Sequence, residues 1–149
     1  MASWALEQFG STLQTKTGKK STSDVLGGKT RIGIYFSAHW CPPCRGFTPV
    51  LAEFYDQLKE GNPEYLEIIF VSSDSDDASF EEYYQTMPWT SIPYSESSVI
   101  QALGSKYGVR GIPTFIILDA DDGSIKDKDG RSTVASAKGD NSKAVKKWL

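Results

Sequence analysis

The sequence predicts an α/β fold, and three consecutive segments carry that prediction. The apolar run Arg31–Ser37 lacks the strict alternation of a half-solvated strand, which indicates a central strand that is buried on both faces. A helical pattern follows from Pro42 to about Glu60, and a second apolar run, Leu66–Ser72, predicts another central strand. The core positions that we expect on the helix are Phe47, Val50, Leu51, Phe54 and Leu58.

The first 27 residues are expected to form an N-terminal extension. Thr12–Thr17 alternates weakly and Gly18–Lys20 supplies a turn, so we predict a small hairpin. Ser23 and Asp24 are candidates to cap a short turn that ends at Gly27-Gly28. A structural edge is the favoured interpretation of this region, and a partner-binding arm is the functional alternative.

The segment Trp40-Cys41-Pro42-Pro43-Cys44-Arg45 joins the first central strand to the helix and holds both cysteines of the chain. The first N–H groups of a helix lack partners and the helix dipole is positive there, so a thiolate at Cys41 is favoured and its pKa depressed. Pro42 and Pro43 suit a helix start, because the fixed φ of proline is already helical. We therefore predict that Cys41 is an exposed nucleophile and that Cys44 is a buried resolving thiol.

A zinc site and a structural disulfide are the alternatives for these cysteines. Structural zinc takes four ligands, whereas this chain offers two thiols and one histidine, His39. A disulfide across two residues closes so small a loop that it removes little entropy from the unfolded chain. Both alternatives are therefore disfavoured. For Arg45, lowering a thiolate pKa and a purely solvated role stay open.

The segment that follows the second strand, Ser73–Asp77, lies where open α/β sheets place functional loops. We expect Asp76 or Asp77 to cap a helix from Ala78 to Thr86. Calcium is rejected, because no twelve-residue loop closes on a glutamate. The aromatic side chains expected to pack in the interior are Phe80, Tyr83, Tyr84 and Trp89.

The remaining elements follow from apolar spacing and turn residues. Pro113 precedes a strand, a position that proline tolerates, and Asp119–Gly123 is a turn signal. In order, we expect a helix containing Val99, Ile100 and Leu103, a strand at Phe115–Leu118, an edge strand near Ser124–Lys126, a loop at Lys138–Asn141 and a short helix at Ala144–Leu149.

Composition describes one ordinary globular domain over residues 1–149. Residues 1–30 are the least defined part, and the C-terminal segment 132–149 is also left undefined. The net charge of −3 and the lack of a basic cluster give no sign of nucleic acid binding. We expect no signal peptide and no membrane association, because no segment has the required apolar run. With no cysteine spent on structure, a cytoplasmic protein is expected, with a nuclear pool as an option.

The chain resembles the thioredoxin-like proteins called tryparedoxins and nucleoredoxins from about Gly28 to Arg131. The resemblance rests on a specific combination of motifs: Tyr35 to Pro49 around Trp-Cys-Pro-Pro-Cys-Arg, Phe70-Val71-Ser72-Ser73-Asp74, Met87-Pro88-Trp89 and Tyr107 to Thr114. It implies a thioredoxin-like fold, a central mixed sheet flanked by helices on both faces.

The resemblance also assigns roles around the cysteines. It implies that the Ile112–Pro113 bond is cis, that Pro113 shields Cys41 and that Ile112 offers its backbone to a bound substrate chain. In thioredoxins the position six residues before the first cysteine carries a buried aspartate. Here that position is Tyr35, so any proton relay must use water or another residue.

The electron donor is the point on which the two groups differ. Tryparedoxins that use trypanothione carry a tryptophan and an acidic pair where this chain has Ser73, Asp74 and Ser75. The segment Val71-Ser72-Ser73-Asp74 looks closer to that of nucleoredoxins. Trp40, Ile112 and Arg131 still match the tryparedoxin donor surface. By that resemblance Arg131 pairs with a glutathionyl carboxylate, and Asp74 alone remains to attract a polyamine.

The function expected is thiol–disulfide exchange, as a protein-disulfide reductase. The expected partners are disulfide-bearing proteins, peroxidases among them, and an external thiol or reductase; no metal or organic cofactor is needed. A monomer is expected. The alternatives are a redox-sensitive binding module of nucleoredoxin type and a true tryparedoxin that passes electrons from trypanothione to peroxidases.

Overall fold

The computed structural model describes residues 3–149. The helices are α1 (Ser3–Phe9), α2 (Thr22–Leu26), α3 (Pro42–Gly61), α4 (Asp77–Tyr84), α5 (Ser97–Lys106), α6 (Gly130–Ala137) and α7 (Asn141–Lys147). The strands are β1 (Thr12–Thr15), β2 (Gly18–Ser21), β3 (Arg31–Ser37), β4 (Leu66–Ser72), β5 (Thr90–Ser91), β6 (Thr114–Asp119) and β7 (Ile125–Asp127).

The strands form one mixed sheet of seven strands in the order β2-β1-β5-β4-β3-β6-β7. β3 pairs in parallel with β4, and β6 runs antiparallel along the other side of β3. Ser37 pairs with Ser72, and Phe36 pairs with Thr114. The carboxyl ends of β3 and β4 and the start of β6 therefore meet at one edge of the sheet, which is where the cysteines lie.

Helices cover both faces of the sheet, as the sequence predicts. Every residue of β3 and β4 is buried, because alternate side chains of each strand enter different cores. On one face, α3, α4, α6 and α7 pack around Tyr35, Phe70 and Phe115. On the other, α1, α2 and α5 pack against Ile34 and Ile69. The predicted mixed sheet between two helical layers is confirmed.

Several local predictions hold and a few do not. β1 and β2 form the expected hairpin, but its turn is Lys16-Thr17, and Gly18–Lys20, predicted as the turn, belongs to β2. The Asp76 side chain caps α4 by accepting from the Ser79 N–H. α2 is capped by Ser21 rather than by Ser23 or Asp24. Val50, expected in the core, is exposed.

Two helices have no counterpart in the sequence-based prediction. α1 buries only Ala5 and Phe9, and α6 replaces the undefined start of the C-terminal segment. The C-terminus itself is held by Trp148, which is fully buried and donates a hydrogen bond to the Asp127 carboxylate.

Within residues 3–149, none of the helices is both long and apolar enough to cross a membrane.

Candidate redox site at the amino terminus of α3

The two cysteines lie at the first turn of α3. Cys41 is the N-cap residue with an extended backbone, and Pro42 begins the helix. The Cys41 sulfur accepts from the Cys44 N–H at 3.3 Å, so it occupies the position of a capping oxygen. The pair forms a disulfide with 5.2 Å between its Cα atoms. A sulfur in this position lies at the positive end of the helix dipole, where the thiolate form is stabilised.

Both sulfurs are less accessible than expected. Cys41 is 5% exposed and Cys44 is fully buried, so the prediction of an exposed Cys41 is wrong for the disulfide form. The physical reason is that Ala38 and the half-buried Ile112 pack over the pair. Cys41 nevertheless remains the more accessible of the two.

The start of β6 forms the second wall of the site. The Ile112–Pro113 peptide bond is cis, as the resemblance implies, and Pro113 is buried. The Cys41 sulfur lies 3.7 Å from the Ile112 carbonyl oxygen. Because β6 pairs with β3, the same ladder that builds the sheet also sets Ile112 against the disulfide.

Trp40 is an exposed large hydrophobic side chain at the site. Its exposed fraction is 61%, and its Nε1 donates to the Ser73 carbonyl oxygen at 3.1 Å. This hydrogen bond holds an aromatic surface beside Cys41. Pro42, Pro43 and Arg45 are exposed on the same helical turn.

A role in attracting a polyamine requires Asp74 to face solvent, and Asp74 does not. It is only 8% exposed, and its carboxylate accepts from the His39 backbone N–H and from the Ser72 hydroxyl, both at 2.8 Å. Its carbonyl oxygen accepts from the Tyr94 hydroxyl. Asp74 therefore ties the loop before Cys41 to the end of β4.

Arg131 lies exposed in the first turn of α6. A Cβ on the preceding residue, Gly130, would stand 2.8 Å from the Phe115 carbonyl oxygen. The start of α6 thus packs closely against β6, two residues beyond Pro113. The structure gives Arg131 no ion pair within residues 3–149.

A cluster of four hydroxyl groups beneath Cys44 was not predicted. The Thr48 hydroxyl lies 2.7 Å from that of Tyr35 and 2.6 Å from that of Tyr83, which in turn lies 2.7 Å from Ser37. Thr48 donates to the Cys44 carbonyl oxygen at 3.0 Å. Thr48 stands four residues after Cys44, one helical turn, and that spacing is the only sequence signal for the cluster.

One member of the cluster, Tyr35, has a perturbed pKa. Burial raises the pKa of Tyr35 far above that of a free tyrosine, and the neighbouring Tyr83 raises it further. Tyr35 therefore keeps its proton at physiological pH. Trp89 packs edge-on against the Tyr35 ring at 5.9 Å, which agrees with its expected packing role.

Among residues 3–149, no group of three or more histidine, cysteine or acidic side chains is arranged to hold a metal ion.

Comparisons with known proteins agree with this geometry. Residues 28–125 match the family model described as thioredoxin-like. The chain is 43% identical over 122 residues to tryparedoxin of Trypanosoma brucei brucei, which covers 82% of each protein. It is 44% identical over 122 residues to mouse nucleoredoxin, but the match spans only 27% of that protein.

Solved structures show the same relationship. Native tryparedoxin I of Crithidia fasciculata superposes with a TM-score of 0.82 and 36% identity, covering 93% of each chain. Tryparedoxin II complexed with glutathionylspermidine superposes with a TM-score of 0.81 and 31% identity, covering 91% of this chain and 96% of that one. The chain therefore belongs to the thioredoxin-like family and is a thiol–disulfide oxidoreductase of the tryparedoxin and nucleoredoxin type.

Proposed function

We propose that the chain is a protein-disulfide reductase in which Cys41 attacks and Cys44 resolves. The observation that carries the proposal is the capping position of Cys41, which combines the positive end of α3 with the greater accessibility of the two sulfurs. A thiolate there gains from the unpaired N–H groups of the first helical turn. Cys44, fully buried one turn further in, reaches Cys41 and no outside partner.

The cycle conserves electrons without a bound cofactor. The Cys41 thiolate forms a bond to one sulfur of the substrate disulfide, and the other substrate sulfur leaves as a thiolate. The Cys44 thiolate then attacks the Cys41 sulfur, which releases the second substrate thiolate and leaves the Cys41–Cys44 disulfide. An external thiol or a reductase returns two electrons. The thiolates released take up protons from solvent.

The protein partners are disulfide-bearing chains, with peroxidases as one candidate class. The Ile112 carbonyl oxygen lies 3.7 Å from the Cys41 sulfur and the exposed Trp40 precedes Cys41 in the chain, which supports a role for this surface in holding a substrate chain. We also propose a reducing, cytosolic setting, because both cysteines belong to the redox pair and none stabilises the fold.

The similarity to nucleoredoxins favours a second candidate function, a redox-sensitive binding module. The chain spans about a quarter of the length of the nucleoredoxins that it matches, so the activity of those larger proteins is not carried over whole. In this alternative the state of the disulfide changes the affinity for a partner, and turnover is secondary.

One experiment separates the two functions. Reduction of insulin disulfides, coupled to an excess of dithiothreitol, is measured for the wild type, Cys41→Ser, Cys44→Ser and the double variant. The reductase proposal expects all three variants to lose turnover. Partners captured by the wild type are then tested with the double variant. Binding that persists without both cysteines, with no wild-type turnover, would favour the binding module.

A further inference from the structure

A groove lies beside the redox motif, on the side of α3 that faces α4. Its volume is about 430 Å³. The hydroxyl-bearing side chains Thr48 and Tyr83 form part of its lining, together with Pro49, Ala52 and the His39 ring. His39 stacks on Tyr83 with 5.4 Å between ring centroids and 18° between planes. The lining shares no residue with the Trp40, Ile112 and Arg131 surface.

The hydroxyl groups within the lining are already engaged by the protein. The Thr48 and Tyr83 hydroxyls bond to each other and to Cys44 and Ser37, and the Thr86 hydroxyl donates to the Tyr83 carbonyl oxygen. An occupant therefore meets a largely apolar interior. It cannot replace these hydrogen bonds without leaving a buried hydroxyl unpaired.

Two side chains of the lining stay available: the His39 ring, whose nitrogens make no hydrogen bond within residues 3–149, and the guanidinium of Arg45. The Arg45 side chain is exposed, and within residues 3–149 it has no ion pair and no hydrogen bond from its side chain. The lining contains no carboxylate. Arg45 thus gives the groove a single permanent positive charge, and a guanidinium binds carboxylates in a two-pronged geometry.

The distance along the helix places this charge within reach of a bound substrate chain. The Arg45 N–H donates to the Cys41 carbonyl oxygen at 3.1 Å, so the two residues are one helical turn apart. One turn advances roughly 5.4 Å. An extended chain covers that distance in about two residues.

We propose that this groove, called here the Arg45 groove, takes an acidic side chain that stands one to three residues from the reactive cysteine of a disulfide-bearing protein. The proposal rests on the reductase function and adds a substrate preference to it. The carboxylate pairs with Arg45, and the aliphatic part of the side chain packs on Pro49 and Ala52.

The test uses synthetic peptides of seven residues with blocked ends and a central cysteine. That cysteine carries a neutral 2-thiopyridyl group as a mixed disulfide, and glutamate, glutamine or lysine occupies the positions two residues away on both sides. The Cys41 thiolate bonds to the peptide sulfur, the thiopyridyl sulfur leaves with the electron pair, and the resulting pyridine-2-thione is followed by its absorbance. Cys44 then attacks Cys41 and releases the peptide thiol.

The reduced wild type should react with the glutamate peptide about threefold faster than with the glutamine peptide and roughly tenfold faster than with the lysine peptide. These ratios correspond to an exposed ion pair gained or replaced by repulsion. They should shrink as salt is added, because the pair is screened. Equal rates for the three peptides in the wild type would overturn the proposal.

Variants distinguish an effect of the groove on the peptide preference from a general effect of protein charge. Arg45→Glu should reverse the order of the glutamate and lysine peptides, whereas Lys20→Glu, the same charge change on the exposed strand β2, should leave it intact. Ala52→Leu fills the groove without a change in charge and should reduce the preference for glutamate. An order that survives Arg45→Glu, or a preference untouched by Ala52→Leu, contradicts the proposal.

The neutral small disulfide 2-hydroxyethyl disulfide serves as the common reference. Each variant should still reduce it, which shows that the redox pair is intact, and circular dichroism checks that the variant is folded. If the wild type reduces neither this compound nor any peptide, the reductase function itself fails. If the wild type reduces the peptides at equal rates, only the proposed preference of the Arg45 groove is overturned.

Discussion

At the scale of single residues, the site is stabilised by hydrogen bonds between groups that lie far apart in the sequence. Asp74 binds the His39 N–H across 35 positions, and Tyr83 reaches Ser37 across 46. Each of these hydrogen bonds joins the loop or strand before Cys41 to an element from the next β–α unit. Such pairings depend on the finished fold, so no local pattern predicts them, and the resemblance alone left Asp74 available to attract a polyamine.

A buried carboxylate at the other end of the sheet gives a prediction for pH dependence. Burial raises the pKa of Glu67, although hydrogen bonds from Tyr55 and Thr90 oppose that shift. In the window above the pKa of the unfolded chain, about 4.3, the folded state holds more protons than the unfolded state. Glu67 therefore costs stability progressively as the pH rises through its folded pKa.

Glu67→Gln isolates this effect, because glutamine does not titrate. The difference in free energy of unfolding, wild type minus variant, should be highest below pH 4 and should fall as the pH rises. Urea denaturation at a series of pH values measures it. A difference that stays constant, or that grows with pH, contradicts the assignment of a raised pKa to Glu67.

At the scale of elements, the central α/β unit could be predicted and the periphery could not. Apolar runs and helical spacing predict β3, α3 and β4, because the two strands are buried along their whole length and α3 buries one face at helical spacing. α1 buries two residues, and α6 buries Gly130, Val134 and Ala137. These short helices are stabilised by the surfaces on which they pack, so their own sequences carry little periodic signal.

Packing between β3 and β6 supplies a prediction at this scale. A Cβ on Gly33 would stand 2.5 Å from the Phe115 ring, and Phe115 in turn packs on Tyr35. Gly33→Ala should therefore lower the free energy of unfolding by about 1–3 kcal/mol through overpacking. Urea denaturation with circular dichroism provides the measurement.

Gly104→Ala is the matched control. Gly104 lies inside α5, and a Cβ there meets no atom within 4 Å. The glycine-to-alanine change should raise the free energy of unfolding here by about 0.5–1 kcal/mol, because alanine has a higher helix propensity than glycine. If both variants shift stability in the same direction by the same amount, steric crowding at Phe115 is not the cause.

At the scale of the whole molecule, the chain is similar to two groups of proteins, the tryparedoxins and the nucleoredoxins. Its identity to tryparedoxin and to nucleoredoxin is nearly equal. We infer that trypanothione is a poor donor here. Ser73 and Ser75 replace an aromatic and an acidic residue, and the one remaining carboxylate, Asp74, is committed to His39 and Ser72.

A side-by-side reduction assay tests that inference with trypanothione, glutathione and an NADPH-coupled thioredoxin reductase. Loss of one charge and one aromatic surface should weaken recognition of the polyamine by roughly 1–3 kcal/mol. The double variant Ser73→Trp with Ser75→Glu should recover reduction by trypanothione. Efficient, saturable reduction of the wild type by trypanothione alone would instead make the chain a working tryparedoxin.

The central claim is the division of roles between the two cysteines, and intact-mass spectrometry of trapped intermediates tests it most directly. Reduced Cys44→Ser and Cys41→Ser are each mixed with insulin and analysed without reductant. We predict that Cys44→Ser accumulates a covalent adduct of the protein with an insulin chain through Cys41, because no second thiol resolves it. Cys41→Ser should form none, since Cys44 is fully buried. Accumulation of the adduct with Cys41→Ser, or equally with both variants, would contradict the account.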